Sequence, residues 1–93
     1  MSSAPAVVHN PAENRYEITI EDHLAVAEYV TEDGRQVFTH TLVPPELRGR
    51  GLAEALVRTA LNDARAAGRR VVPACSYVAR FIEKNPEFAD LVA

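Results

Sequence analysis

The chain has 93 residues and a mass of 10.2 kDa, which is enough for one domain, because two separate cores would each fall near the roughly 40 residues below which unsupported chains stop folding. Hydrophobic residues make up 47% and charged residues 25% of the chain, a balance that excludes a largely disordered protein. The single cysteine cannot form an internal disulfide, and no apolar run approaches the roughly 20 residues that cross a bilayer. We therefore expect a soluble cytoplasmic protein, with residues 1–5 as a flexible tail.

Charge is distributed unevenly along the chain. The net charge is −3, which argues against a dedicated nucleic-acid-binding protein, since such a protein normally presents a basic face. Residues 1–47 carry a net charge of −6 and residues 48–93 a net charge of +3. The basic half could hold an anionic ligand, although a solvated surface on which the two signs happen to separate explains the same pattern.

The first half of the sequence predicts four strands. These β-prone runs cover residues 6–9, 15–20, 24–30 and 36–43. The second run alternates polar with apolar side chains, and Asp33-Gly34 between the last two runs indicates a two-residue hairpin. Pro44-Pro45 ends the fourth run because two successive prolines remove two donors from the sheet ladder. We expect the four strands to pair antiparallel.

The second half predicts a helix, a strand and a second helix. Apolar residues recur at helical spacing from Arg50 to Ala67, and Gly68 follows as a stop. Residues 71–75 form a short buried-strand pattern, and a helix that Ser76 could cap follows it to about Lys84. A last helical turn is expected after this helix. The order β-β-β-β-α-β-α predicts an α+β fold with a mixed sheet, in which the helical crossover makes strands four and five parallel.

The segment between the fourth strand and the long helix has the composition of an anion-binding loop. Arg48, Gly49, Arg50 and Gly51 lie immediately before the helix. The first N–H groups of a helix have no intrahelical acceptor, the helix dipole adds positive charge there, and glycines let a phosphate approach the backbone. The alternative is a plain turn with two solvated arginines. The loop lacks both the third glycine of a dinucleotide-binding fingerprint and the Gly-Lys-Ser/Thr ending of a P-loop.

A different signature fits this loop better. The hexapeptide Arg48-Gly49-Arg50-Gly51-Leu52-Ala53 resembles the Arg/Gln-x-x-Gly-x-Gly/Ala sequence that binds the pyrophosphate of acetyl-coenzyme A (acetyl-CoA) in the GNAT superfamily of N-acetyltransferases. The similarity to the small, single-domain members of that superfamily covers most of residues 37–88. It includes Pro73-x-Cys75-Ser76-Tyr77 and the later Asn85-Pro86. Phe88 departs from the family pattern, in which a tyrosine is expected, so no hydroxyl role is predicted there.

The resemblance implies one minimal acetyltransferase domain over residues 1–93. In such folds strands four and five splay apart and the pantetheine arm of acetyl-CoA lies in the gap. Pro73 suits that gap because it removes a ladder donor, although an edge strand would tolerate it equally. The implied cofactor contacts are Leu42, Val43, Arg48, Gly49, Arg50, Gly51, Leu52, Ala53, Ser76 and Asn85. Arg69-Arg70 could reach the adenosine 3′-phosphate.

Cys75 and His40 are the candidate catalytic residues. Cys75 follows the fifth strand, where a thiol could face a ligand crevice and be activated by a base; a cysteine that merely fills the core is the alternative. His40 lies near the end of strand four, could face the same crevice, and could deprotonate Cys75 or an ammonium group. The alternative for His40 is a hydrogen-bonded histidine on the sheet surface. Tyr77 is expected to pack in the core, and no metal site is expected.

These observations predict an N-acetyltransferase-like enzyme that transfers acetyl from acetyl-CoA to an unidentified amine, such as a protein lysine, a polyamine or a small amine. Transfer could be direct or proceed through acetyl-Cys75. The alternatives are an acyl-CoA-binding module without turnover and a protein-interaction domain. The acidic first half hints at a cationic acceptor. We expect no nucleic-acid or membrane partner, and a monomer or a weak homodimer through a sheet edge.

Overall fold

A five-stranded sheet with helices on one face forms the protein, and the computed structural model describes residues 6–93. The elements are β1 (Val8–Asn10), β2 (Arg15–Ile20), β3 (His23–Glu32), β4 (Arg35–Leu42), α1 (Leu52–Ala67), β5 (Arg70–Pro73) and α2 (Ser76–Lys84). Strands β1 to β4 pair antiparallel in sequence order, and β4 pairs parallel with β5. The predicted α+β class and element order are therefore confirmed. The predicted flexible tail lies outside the described residues.

The hairpin between β3 and β4 has the predicted turn. Asp33 and Gly34 both have positive φ, 52° and 75°, as a two-residue type I′ turn requires. Glu32 pairs directly with Arg35 across the turn. This hairpin fixes the register of β4, the strand that carries most of the site.

The core lies between one face of the sheet and the two helices. The apolar stripe of α1 is buried as its spacing predicts, and it consists of Leu52, Leu56, Val57, Ala60, Leu61 and Ala64. Each fully buried leucine or valine contributes about 1.5–3 kcal/mol, so packing against the sheet holds α1 in place. The opposite face of the sheet leaves Leu24 and Val30 partly exposed. No helix within residues 6–93 is long and apolar enough to span a membrane.

Helix α1 begins later than the sequence predicts, and helix α2 begins at the predicted residue without the predicted cap. Helix α1 begins at Leu52, two residues after Arg50, because Gly51 has a left-handed backbone with φ of 75° and stands outside the helix. Helix α2 begins at Ser76, but the prediction that Ser76 caps it is wrong. Cys75 occupies the cap position with an extended backbone, and within residues 6–93 no side chain caps the helix. The predicted last turn is a 3-10 helix over Pro86–Leu91.

Strands β4 and β5 separate after four paired positions, the last of which joins Phe38 to Pro73. The chain turns at Ala74, whose N–H donates to the Val72 carbonyl oxygen at 3.0 Å. The Cys75 N–H donates to the Phe38 carbonyl oxygen at 2.8 Å and makes the last link between the two segments. Strand β4 continues to Leu42 beyond its pairing with β5. The expected parallel and splayed pair is therefore confirmed.

The prediction of a buried strand over residues 71–75 is wrong in extent and burial. Strand β5 ends at Pro73, and Val71 is its one buried residue. The physical reason is that β5 lies at the edge of the sheet, where its outer side is covered only by the end of the chain. There the Ala93 N–H donates to the Val71 carbonyl oxygen at 2.9 Å.

Candidate functional site

The loop between β4 and α1, residues 48–51 and here called the glycine loop, presents backbone at the start of a helix. Gly49 and Gly51 have φ of 83° and 75°, a conformation that glycine adopts without steric cost. A Cβ built on either glycine meets no atom within 4 Å, so both open onto free space. Gly51 occupies the N-cap position of α1, and within residues 6–93 no side chain makes a capping hydrogen bond there. The first N–H groups of α1 can therefore bind an anion from outside.

The two arginines of the loop have different environments. Arg48 Nε donates to the Val43 carbonyl oxygen at 3.2 Å and so ties the start of the loop to the end of β4. Arg50 is exposed and forms no ion pair with the described part of the chain. Leu47, only 1% exposed, anchors the 3-10 turn that precedes both. Sequence reasoning missed Leu47, although it is the single apolar side chain between Pro45 and Gly51 and could have been found on that basis.

A groove, here called the β4–α1 groove, connects the parted end of β4 with the glycine loop. It consists of two adjoining cavities that share Val43, Arg48, Ala53 and Tyr77. The larger, about 460 Å³, also contacts Leu24, Thr41, Leu42 and Pro44. The smaller, about 250 Å³, also contacts Leu47, Gly49, Gly51, Leu52 and Glu54. The groove thus brings together seven of the ten predicted cofactor residues: Leu42, Val43, Arg48, Gly49, Gly51, Leu52 and Ala53.

The other predicted cofactor residues do not line this groove. Arg50 lies in the glycine loop beside it, and Ser76 is an exposed residue in the first turn of α2. Asn85 is the C-cap residue that follows α2. Its Nδ2 donates to the Phe81 carbonyl oxygen at 2.9 Å. Arg70 pairs with the first residue of β4, so the Arg69-Arg70 pair lies at the end of the sheet away from the glycine loop.

Cys75 borders the groove through Thr41. Its Sγ lies 3.5 Å from Thr41 Oγ1, and the residue is half-buried. Burial raises the pKa of the Cys75 thiol, but hydrogen bonds from the Thr41 hydroxyl and from the backbone N–H groups of Val78 and Tyr77 outweigh it, so the pKa is lowered overall. Such donors at a helix N-terminus favour the thiolate, which is the nucleophilic form.

His40 lies on the other face of the sheet, so the prediction that it shares a crevice with Cys75 is wrong. Its side chain is 65% exposed, and its Nδ1 lies 3.6 Å from Glu28 Oε1. In the register His40 pairs with Glu28 and Thr41 with the fully buried Ala27. Because consecutive strand residues point to opposite faces, Thr41 faces Cys75 while His40 faces away.

A β-bulge explains the orientation of His40. The partner of Glu28 is His40, whereas the partner of the next residue, Tyr29, is Phe38. Thr39 is therefore an extra residue in β4. Simple alternation would put His40 on the same face as the buried Phe38, but one inserted residue reverses the faces of all residues after it.

Tyr77 is not the core residue that the sequence predicted. It is 38% exposed and lines both cavities of the groove. The buried stripe of α2 consists of Val78, Phe81 and Ile82, which leaves Tyr77 on the flank of the helix. Burial raises the pKa of its hydroxyl, and the negative charge of Glu54 raises it further.

A larger cavity at the opposite edge of the sheet is a weaker candidate. It measures about 510 Å³ and is lined by Ala6, Val8, Glu17, Thr19 and Ile20. Its one charged lining residue is Glu17, whose carboxylate is bound by Arg15 Nε at 2.6 Å. A cavity lined by a carboxylate and no cation does not favour an anionic ligand, so the β4–α1 groove is the stronger candidate.

Comparison with known proteins agrees with the geometry of the loop and the parted strands. Residues 15–91 match the sequence profile of the GCN5-related N-acetyl-transferase family. The chain belongs to this family. Its fold is also similar to the NMR structure of a GCN5-like protein from Staphylococcus aureus assigned to the N-acetyltransferases, with a TM-score of 0.76 and 23% identity, over 99% of this chain and 91% of that one. The resemblance found in the sequence is therefore confirmed.

The contact between Thr41 and Cys75 predicts how the reactivity of the Cys75 thiol depends on pH. Thr41→Val keeps the shape of the side chain and removes the hydroxyl, so it should raise the pKa of the Cys75 thiol. The rate of alkylation by iodoacetamide, measured against pH, reports this pKa, and Cys75 is the one cysteine in the chain. We expect the wild-type midpoint to lie below that of an ordinary cysteine and the variant midpoint to lie higher.

Thr39→Val is the matched control. The Thr39 hydroxyl donates to the Glu28 carbonyl oxygen at 3.4 Å and not to the sulfur, so this variant should keep the wild-type midpoint. Equal midpoints for wild type and Thr41→Val would contradict the role given to the Thr41 hydroxyl.

Proposed function

We propose that this member of the family binds acetyl-CoA in the β4–α1 groove and transfers the acetyl group to an amine. The observation that carries the proposal is the junction of two features: a left-handed glycine pair at the bare start of α1, and a strand that extends beyond its parallel partner. The first suits a pyrophosphate. The second suits the extended, amide-containing pantetheine arm, because an unpaired strand edge offers backbone donors and acceptors.

Individual residues have distinct proposed contacts with the cofactor. Backbone N–H groups from Gly49 to Ala53 hold the pyrophosphate, and Arg48 and Arg50 add charge. Leu42 and Val43 flank the pantetheine arm at the end of β4. Ser76 stays a predicted contact, since it follows Cys75 at the start of α2.

Cys75 is the residue that we propose as nucleophile. Bound acetyl-CoA supplies an activated acetyl thioester. In the covalent route the Cys75 thiolate bonds to the acetyl carbon as the carbon's bond to the coenzyme sulfur breaks, and an amine then takes the acetyl group and restores the thiol. The lowered pKa of Cys75 and its position beside the groove support this route.

Direct attack by the amine is the other route. It requires a base that takes a proton from the attacking ammonium group. Because His40 faces away from the groove, water is the base that we propose for this route. We propose a cationic acceptor, because the half of the chain that forms β1 to β4 carries a net charge of −6.

One observation favours a second candidate, acyl-CoA binding without turnover. Thr41 is the hydrogen-bonding side chain at the Cys75 sulfur within residues 6–93, and a hydroxyl is a poor general base at neutral pH. Binding of acetyl-CoA without transfer to any amine would support this second function.

The thermal stability of the protein with and without acetyl-CoA tests the binding site. Ligand at about 100 times its Kd should add about 2.7 kcal/mol, a rise of several degrees in Tm for a domain of this size. In Arg48→Glu/Gly51→Asp the added carboxylates repel the pyrophosphate, so the rise should vanish.

The matched control is Gly68→Asp/Arg69→Glu at the other end of α1. Gly68 also has a positive φ, 70°, so the two variants introduce the same substitutions in comparable backbone. The control should keep the ligand-dependent rise whatever its own Tm. A rise that persists in Arg48→Glu/Gly51→Asp, or no rise in the folded wild type, would argue against the site.

Cys75→Ala distinguishes the two chemical routes. Because the covalent route passes through the Cys75 thiolate, we expect the variant to lose transfer by roughly 100-fold or more while keeping its Tm rise with acetyl-CoA. Mass spectrometry of the wild type incubated with acetyl-CoA alone should detect one acetyl group on Cys75. Full turnover by Cys75→Ala would exclude the covalent route.

A further inference from the structure

The face of the sheet that points away from the helices, here called the open face, carries large apolar side chains in contact with solvent. Within residues 6–93 the large exposed apolar side chains are Val8, Leu24, Val30, Leu42 and Tyr77. All of these except Tyr77 belong to strands of the sheet, and Val8 and Leu42 are 56% and 55% exposed. Exposed apolar side chains that cluster on one surface mark interaction sites, so the open face is a candidate.

The strand register places four side chains in one row across the open face. The neighbours of Val26 in β3 belong to the core, so Val26 itself points to the open face. Val26 pairs with Leu42 on one side and with Glu17 on the other, and Glu17 pairs with Val8. Residues directly opposite each other on paired strands share a face, so all four lie on the open face. Leu24 lies two residues before Val26 and shares its face.

One end of this row reaches the proposed cofactor groove. The larger cavity of the β4–α1 groove is lined by Leu24 and Leu42 from the open face and by Thr41 and Tyr77 from the helix side. The cavity therefore passes around the open end of β4 from one face of the sheet to the other. Thr41 contacts the Cys75 sulfur, so a ligand on the open face has a route to the candidate nucleophile.

The other end of the row reaches a second cavity. The cavity of about 510 Å³ at the edge of the sheet is lined by Val8, Glu17 and Thr19 among others, and Thr19 pairs directly with Leu24. Here we call Val8, Thr19, Leu24, Val26 and Leu42 the open-face track. It crosses the four strands β1 to β4, a distance of roughly 14 Å at the usual spacing of strands. A track of this length suits an extended segment of chain.

Uncompensated carboxylates lie beside the open-face track. Glu21 and Asp22 form the turn between β2 and β3, just before Leu24. Both are exposed, and neither forms an ion pair with any residue from 6 to 93. Glu17, by contrast, is bound by Arg15 Nε at 2.6 Å. A partner with cationic side chains next to apolar ones is complementary to this surface.

A segment of another protein fits these features better than a small amine or a second copy of the chain. A small amine or a polyamine matches the carboxylates but has no apolar side chains for the track. A second copy seated on the open face would cover Leu42, where the groove opens, and would close the route to Cys75. A basic segment that also carries apolar side chains matches both the charge and the track.

We propose that the acetyl acceptor is a lysine of a basic protein segment that binds along the open-face track. This inference rests on the proposed function, because it names the acceptor of the same transfer. Apolar side chains of the segment pack on the track, its basic side chains lie beside Glu21 and Asp22, and its lysine enters the groove past Leu42. The lysine nitrogen gives a proton to water and bonds to the acetyl carbon as the carbon–sulfur bond breaks, which yields acetyl-lysine and a thiol.

Titration of the 15N-labelled protein with a model peptide tests the docking without any acetyl transfer. The peptide carries one central lysine among arginines and leucines, and in a companion peptide serines replace the leucines. We expect the first peptide to shift the backbone amides of the open-face track. The companion peptide should bind roughly tenfold more weakly, because its apolar contacts are lost.

Val8→Lys/Thr19→Lys places two cations on the track, at exposed residues outside the β4–α1 groove. It should weaken binding of the leucine peptide roughly tenfold or more and keep the Tm rise with acetyl-CoA. Ala66→Lys/Ala67→Lys is the matched control, because it adds the same charge at exposed residues in the last turn of α1. The control should bind the peptide as the wild type does.

Transfer kinetics test the class of acceptor. We expect the wild type to acetylate the leucine peptide with a kcat/KM roughly tenfold or more above that for spermidine, a polyamine without apolar side chains. A kcat/KM for spermidine that equals or exceeds that for the peptide would overturn the inference alone. So would peptide-induced shifts away from the track, or undiminished binding by Val8→Lys/Thr19→Lys.

Two further results have distinct meanings. A wild type that is dimeric in solution, and becomes monomeric in Val8→Lys/Thr19→Lys, would overturn the inference by showing that a second copy covers the track. A folded wild type that acetyl-CoA does not stabilise, or that acetylates neither amine, would overturn the proposed function and this inference with it.

Discussion

Beyond Phe38, β4 has no paired residue in β5, because the chain turns at Ala74, whose N–H donates to the Val72 carbonyl oxygen, and enters α2 at Ser76. The other features of the site depend on this separation. It leaves the end of β4 open beside the glycine loop, and it places Cys75 at the first turn of α2. At that position backbone N–H groups and the Thr41 hydroxyl lower the pKa of the thiol. One turn at the end of β5 therefore creates both the space for a ligand and the environment of the candidate nucleophile.

The separation of charge along the sequence becomes a separation in space. The acidic half of the chain forms the four antiparallel strands, and the basic half forms the glycine loop and both helices. The smaller cavity of the β4–α1 groove is lined mainly by the basic half, including the backbone of Gly51 and the side chain of Arg48. An anionic ligand suits this arrangement.

Local signals in the sequence were sufficient for the elements and for the anion-binding loop. Asp33-Gly34 specifies its turn by backbone conformation, and the stripe of α1 specifies its buried face by spacing. The glycine pair identified the start of α1 because a bare helix terminus needs no distant partner. These features depend on residues that are close in sequence.

Features that depend on pairing between distant residues could not be predicted. The face of His40 is set by an extra residue in β4 opposite β3, and no residue in β4 marks that bulge. Tyr77 was expected in the core, but the side of α2 that packs against the sheet buries Val78, Phe81 and Ile82 instead.

Binding of acetyl-CoA in the β4–α1 groove can be tested directly by titrating 15N-labelled protein with acetyl-CoA and following the backbone amide NMR shifts. We expect the largest changes at Thr39–Leu42 on the open end of β4 and at Gly49–Ala53 in the loop and first turn of α1. Amides at the β1–β2 edge, such as those of Val8 and Thr19, should not move. Shift changes concentrated at that edge, or no changes at β4 and the glycine loop under saturating ligand, would contradict binding in the β4–α1 groove.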